Sequence, residues 1–211
     1  MEDAYEGVPY IMFGHSMGSF ITRVYISQYG WGLSAAILCG TGNQPWIVSA
    51  AGRALALMMC RIRGPRFRSR LLDSLGAGAF SKGIENERTP FDWLSTDPLV
   101  VDAYLADEMC GEMFSVSAYA ALLDLTEEAV TAECAASVPN GLPLLFVAGA
   151  QDPVGDFGKG VIAAADLAEE GGSHDVTVVL YEGMRHEILN EPGKTAVYEN
   201  VVEWLDDCLG L

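Results

Sequence analysis

Between the apolar run Tyr10-Ile11-Met12-Phe13 and a helix-patterned stretch from Met17 to about Tyr29 stands the pentapeptide Gly14-His15-Ser16-Met17-Gly18. A run of strand length followed at once by helical periodicity leaves no room for a loop, so the chain has to turn sharply at Ser16. Glycines two positions to either side let the backbone crowd together without Cβ clashes. This is the pattern of a nucleophile elbow, in which the helix behind the serine aims its unpaired N–H groups at a reacting oxygen. Alone the pattern is weak, because ordinary glycine and serine usage yields G-x-S-x-G in roughly one chain in ten of this length. A Gly-rich turn is the bland alternative, and the partners elsewhere in the chain decide between them.

A serine hydroxyl needs a general base, and the chain holds three histidines. His15 lies inside the turn itself and His174 in the polar loop Glu170-Gly171-Gly172-Ser173-His174. His186 follows the alternating run Val176-Thr177-Val178-Val179-Leu180-Tyr181 through a short loop and precedes an amphipathic segment ending in Val201-Val202-Glu203-Trp204-Leu205. A histidine just past the carboxyl end of a strand is where a parallel sheet collects its chemistry. The orienting carboxylate is expected on another strand-end loop. The buried-strand pattern Leu144-Leu145-Phe146-Val147-Ala148 runs into Gly149-Ala150-Gln151-Asp152-Pro153, which makes Asp152 the candidate acid, with Asp156 as the fallback. Ser, Asp and His in that chain order, each after a strand, is the order of an α/β-hydrolase.

The string Gly14-His15-Ser16-Met17-Gly18-Ser19-Phe20, the segment Phe91-Asp92-Trp93-Leu94-Ser95-Thr96-Asp97-Pro98 and the tail Gly183-Met184-Arg185-His186-Glu187-Ile188-Leu189-Asn190-Glu191 together resemble bacterial monoacylglycerol lipases and lysophospholipase-type α/β-hydrolases. The resemblance extends over essentially the whole chain. It implies Ser16 as nucleophile, Asp152 as acid and His186 as base, acting on a small acyl ester. Met17, the residue after the nucleophile, supplies the first oxyanion N–H.

The resemblance begins at the fifth strand of an eight-stranded fold, with nine residues before Tyr10. The expectation is therefore a partial α/β-hydrolase fold, a parallel half-sheet corresponding to strands five to eight, with a helical cap inserted, and a gene model or reading frame that continues upstream. In the family's strand order, 1-2-4-3-5-6-7-8, the last four strands are contiguous, so a half-sheet retains a core. The strand leading to Ser16 becomes an edge with unpaired backbone groups, a site for self-association. The second oxyanion donor of the family, on an upstream His-Gly loop, has no candidate in this sequence.

The α/β core is assigned to residues 1–42 and 139–211. Residues 43–138 carry helical signals, with no convincing strand, until Pro139-Asn140-Gly141-Leu142-Pro143 restarts the sheet, and read as a cap over the site. Strands are expected at 33–38, 144–148 and 176–181. Within the cap, Arg53, Arg61, Arg63, Arg66, Arg68 and Arg70 interleave with Ala54-Leu55-Ala56-Leu57-Met58-Met59 and Phe67. That basic, apolar segment suits peripheral contact with a membrane. Its bland alternative, slightly favoured, is a solvated face paired with nearby acids. His15, Trp46 and Trp93 are candidate substrate contacts. Trp46, Phe91, Trp93, Tyr104, Phe114 and Tyr119 could line an acyl pocket, although aromatics at such spacings are more often core.

A net charge of -17 argues against nucleic acid, which selects clustered positive charge. Five widely spaced cysteines suggest neither a disulfide framework nor a metal site. No cofactor or metal is implied. With no leader pattern at Met1 and no apolar run of membrane-spanning length, the expected compartment is the cytoplasm. The expected function is serine ester hydrolysis through an acyl-enzyme. The alternative is a catalytically silent half-domain that acts only by association.

Overall fold

The computed structural model describes Tyr5 and residues 7–211. Four strands, β1 (Ile11–His15), β2 (Ala35–Cys39), β3 (Leu144–Gly149) and β4 (Val176–Tyr181), form one sheet in the order β1-β2-β3-β4, every neighbouring pair parallel. Parallel neighbours require crossover connections, and helices supply them. Helix α1 (Met17–Tyr29) links β1 to β2. Five helices, α2 (Trp46–Arg63), α3 (Arg70–Leu75), α4 (Pro98–Ala106), α5 (Val116–Ala129) and α6 (Ala132–Ala136), lie between β2 and β3. Helix α7 (Lys159–Glu170) joins β3 to β4, and α8 (Lys194–Leu209) closes the chain.

β2 and β3 are buried at every position, which is why they read as unbroken apolar runs. Their side chains alternate between two cores. Ala36, Leu38, Leu144, Phe146 and Ala148 pack with Ile26 of α1 and Val161, Ala164, Ala165 and Ala168 of α7. Ile37, Cys39, Leu145 and Val147 face the other way, onto Tyr181, Met184, Ile188 and Val197 of the β4–α8 region. A third cluster, Ala56, Leu72, Val116, Tyr119 and Ala120, holds α2, α3 and α5 together. Tyr119, which also donates to Asp73 Oδ1 at 2.7 Å, is thus part of that helical core.

β2 begins two residues later than the expected 33–38. The 3-10 turn Gly30–Gly32 holds Leu33 by a bond from its N–H to Gly30 O (3.1 Å), so the ladder cannot start until it is cleared. β3 runs one residue past expectation, into Gly149. Residues 43–138 are helical where regular, with one antiparallel bridge, Arg68 to Ser115, that the sequence patterns did not reveal. Ser69, Asp97, Ser115 and Thr131 each accept a backbone N–H with their side chains at helix N-termini. Among the described residues β1 pairs with β2 alone, and Phe13 is 42% exposed on this edge strand.

Candidate active site

Ser16, Asp152 and His186 follow β1, β3 and β4, all at the carboxyl end of the parallel sheet. Ser16 has φ 54° and ψ −121°, a conformation that costs a non-glycine residue on the order of 1–3 kcal/mol. It stands at the N-cap of α1, where a serine ordinarily spends its hydroxyl on the helix N–H groups. Here the hydroxyl does no such work, unlike those of Ser69, Ser115 and Thr131. The Ser16 carbonyl accepts instead, from Ser19 N (2.9 Å) and Ser19 Oγ (2.6 Å). The turn is fixed from the β1 side by Ser16 N donating to Cys39 O at 2.9 Å.

The two flanking glycines differ in what they do. A Cβ on Gly14 would stand 2.3 Å from Thr22 Oγ1 and 2.4 Å from Gly18 O, so only glycine fits. A Cβ on Gly18 meets nothing within 4 Å. The expectation that both glycines relieve a clash holds for Gly14 and is corrected for Gly18. The Met17 N–H, first of α1, has no backbone acceptor among the described residues and is free for an incoming oxygen.

Asp152 and His186 are buried to 0% and 2% exposure, with His186 Nδ1 2.8 Å from Asp152 Oδ2. Asp152 Oδ1 accepts from Val154 N at 2.9 Å, so each carboxylate oxygen has a partner. With a carboxylate on that side, a neutral His186 places its proton on Nδ1 and leaves the Nε2 lone pair free. Among the described residues no hydrogen bond joins Ser16 Oγ to His186, a contact often looser in unliganded sites. The serine turn and the histidine loop meet through His15, whose ring centroid is 4.8 Å from that of His186. Gly40, at φ 59°, sits against both imidazoles. A Cβ there would be 3.0 Å from His186 Cε1 and 3.3 Å from His15 Cε1. Asp156 is exposed on a left-handed turn and does not reach His186.

His15 spends both ring nitrogens on protein groups, Nδ1 on Cys39 Sγ (3.2 Å) and Nε2 on Glu187 Oε1 (3.1 Å). The hydrogen bond from His15 holds the Glu187 carboxyl below the ordinary range against the opposing effect of burial. Burial, with the charges of Glu187 and Asp152 adding to it, pushes the Cys39 thiol far up. His15, His186 and Glu187 bring potential metal-ligand atoms within 4.8 Å of one another, but these contacts already read as satisfied hydrogen bonds. Trp93 lies over His186 with ring centroids 5.1 Å apart. Trp46 is 61% exposed at the start of α2. His174 is exposed on the loop before β4.

Phe91 meets Tyr104, Phe114 meets Tyr119 and Phe80 meets Trp93 in three separate pairs of tilted rings. Of the arginines, Arg53 pairs with Asp124 (3.4 Å) and Glu127 (3.0 Å), Arg68 pairs with Glu112, and Arg63 lies 4.4 Å over the Phe67 ring. Leu57, Met58 and Ile62 of α2 are exposed beside them. No described helix is long and apolar enough to cross a membrane.

Residues 1–193 match the serine aminopeptidase S33 family of hydrolases. The chain belongs to that family. It is 30% identical over 199 residues to a monoacylglycerol lipase of Mycolicibacterium smegmatis, covering 94% of this chain and 62% of that protein. It therefore spans less than two thirds of that relative's length. A thermostable carboxyl esterase from Bacillus coagulans, solved with glycerol, superposes with a TM-score of 0.90 at 31% identity, over 98% of this chain and 67% of the esterase. A lipase solved in an open form gives 0.86 at 30% identity, over 97% and 66%. The four-stranded parallel sheet and its helices are thus an α/β-hydrolase fold, as the elbow and the resemblance implied.

Gly40, Gly149, Glu187 and Glu191 belong to the surroundings of the site, although the sequence reading gave them no role. Gly149 is the clearest case, since a Cβ on it would stand 2.2 Å from Arg185 O and 2.3 Å from Met184 O. The only sequence signal was its place at the end of an apolar strand.

Proposed function

We propose that this family member is a carboxylic ester hydrolase working through an acyl-enzyme, with Ser16 as nucleophile, His186 as general base and Asp152 as its orienting acid. The observation that carries the reading is the buried His186 Nδ1 to Asp152 Oδ2 hydrogen bond of 2.8 Å beside a strained serine whose hydroxyl caps nothing. Ser16 Oγ attacks the ester carbonyl while His186 Nε2 takes its proton. The imidazolium, stabilised by Asp152, then protonates the departing alcohol. The Met17 N–H receives the oxyanion. Water, deprotonated by His186, attacks the acyl-Ser16 carbonyl, and collapse returns Ser16 and releases the acid.

The substrate class is a monoacylglycerol- or lysophospholipid-type ester, supported by the lipase and esterase relatives. Residues 43–138 act as a cap, and the exposed Trp46, Ile47, Leu57, Met58 and Ile62, flanked by Arg61 and Arg63, are its lipid-facing surface. Treating the chain with a fluorophosphonate beside a Ser16→Ala control tests the central step. A single adduct on Ser16, absent from the control, is expected, together with release of fatty acid from a monoacylglycerol. A folded chain that takes no label would remove the enzymatic reading.

A second reading has one observation in its favour. The described sheet leaves β1 as an edge strand with Phe13 exposed, and a silent domain that associates through that edge would look the same. Concentration-dependent dimerisation in a sample that the fluorophosphonate does not label would select it.

A further inference from the structure

The loop that carries His186 has no regular secondary structure between β4 and α8. Nothing in a helix or a strand ladder sets the direction of the imidazole. Three consecutive backbone donors nevertheless find partners, and all three point to one neighbouring segment or to one carboxylate. Arg185 N donates to Glu191 Oε1 (2.9 Å), His186 N to Trp93 O (3.4 Å) and Glu187 N to Leu94 O (2.7 Å). The Arg185 guanidinium adds bonds from Nη1 to Asp92 O (2.6 Å) and Ser95 O (3.1 Å). Residues 92–96 therefore lie along the histidine loop as a strap.

Glu191 is the latch of that strap. It is completely buried, and among the described residues no cation pairs with it. A buried carboxylate without a cation needs hydrogen-bond donors on its oxygens. Thr96 supplies two, its N–H to Oε1 (2.9 Å) and its hydroxyl to Oε2 (2.5 Å), and Arg185 N–H supplies the third. One side chain thus joins the far end of the strap to the residue before His186. Leu94 and Ser95 are themselves buried, so the strap cannot swing outward without exposing them.

We propose that Glu191, latched by Thr96, is a positioning residue for the general base, fixing His186 so that its Nδ1 stays on Asp152 and its Nε2 faces the serine. The proposal rests on the reading of His186 as base. It predicts that loosening the latch slows the chemical step and leaves probe binding alone, because Glu191 and Thr96 act through the loop rather than on a ligand. Supports of this kind cost about 10–100-fold in function when removed from a metal-bound histidine.

The test combines fluorophosphonate kinetics, resolved into half-saturating concentration and limiting acylation rate, with the downfield proton NMR signal of His186 Nδ1–H. The variants are Thr96→Val, Thr96→Ser and Glu191→Gln, each checked for native circular dichroism. Thr96→Val and Glu191→Gln are expected to lower the limiting rate about tenfold or more, with half-saturation unchanged, and to shift or broaden the proton signal. Thr96→Ser keeps the hydroxyl and is expected to restore both. Folded Thr96→Val and Glu191→Gln proteins with wild-type rates overturn the proposal, as does a loss confined to probe binding. A wild type that takes no label defeats the hydrolase reading instead, and the proton signal then decides the latch. Its disturbance in folded Thr96→Val supports the latch, while an unchanged signal, or none in the wild type, overturns it.

Discussion

His15 Nε2 stands 3.1 Å from Glu187 Oε1, so the residue before the candidate nucleophile is tied to the residue after the candidate base. That contact lowers the Glu187 pKa from its ordinary value of 4.5. A carboxyl whose folded-state pKa is depressed contributes stability above the unfolded pKa and loses it as pH falls through the folded one. Urea unfolding midpoints are therefore expected to favour the wild type over Glu187→Gln at neutral pH, with the gap closing below about pH 4.5. The side chains of this pair are 27% and 29% exposed, so the effect is modest. A gap that stays constant down to pH 3 would remove the His15 contact as its source.

Asp152→Asn tests the orientation of the imidazole. The amide keeps an oxygen for Val154 N, so the turn after β3 is retained. Its other group meets His186 Nδ1 as an N–H₂ donor, which favours the tautomer with the proton on Nε2. The expected result is a fall of about 10³–10⁴ in acylation of Ser16 with little change in thermal stability. A fall of less than about tenfold would mean that another group orients His186.

The elbow, the three strands after it and the order of the three candidate residues were legible because each rests on a short-range pattern. β3 is a continuous apolar run, α1 starts where helical periodicity starts, and Asp152 and His186 follow strand ends. The contacts around the site were not legible because they join distant segments through backbone atoms. Trp93 O on His186 N and Leu94 O on Glu187 N leave no trace in side-chain identity. Glu191 stood only as the last residue of the tail that carries the resemblance, and nothing in its sequence setting marks it as fully buried. The arginine-rich stretch was legible only as charge: the packing of α2 against α5 brings Arg53 to Asp124 and Glu127, whereas Arg63 meets Phe67 just four residues along the chain.

Cys39 gives a test that does not depend on activity. The thiol is buried and pushed up by desolvation, with the nearby carboxylates opposing a thiolate further. Since the thiolate is the reactive form, Cys39 is expected to resist iodoacetamide in the native protein at pH 8 and to react on denaturation. Peptide mass mapping reads the modification site by site. Native alkylation of Cys39 at the same rate as in urea would show that the floor of the site is open.

Gly149 and Gly18 make opposite predictions from the same substitution. A Cβ at Gly149 would collide with the carbonyl groups of Met184 and Arg185, and backbone cannot step aside as the end of a flexible side chain can. Gly149→Ala is therefore expected to destabilise by about 1–3 kcal/mol and to displace the strand-end side of the His186 loop, slowing Ser16 acylation. At Gly18, within the first turn of α1, a Cβ meets open space. Gly18→Ala removes a glycine from a helix and is expected to be neutral or to stabilise by up to about 1 kcal/mol. Thermal unfolding of the two variants separates a glycine required by the approach of the histidine loop from one that the described packing does not require. Equal destabilisation by both would mean that Gly18 is held as tightly as Gly149, against the open space its Cβ would meet.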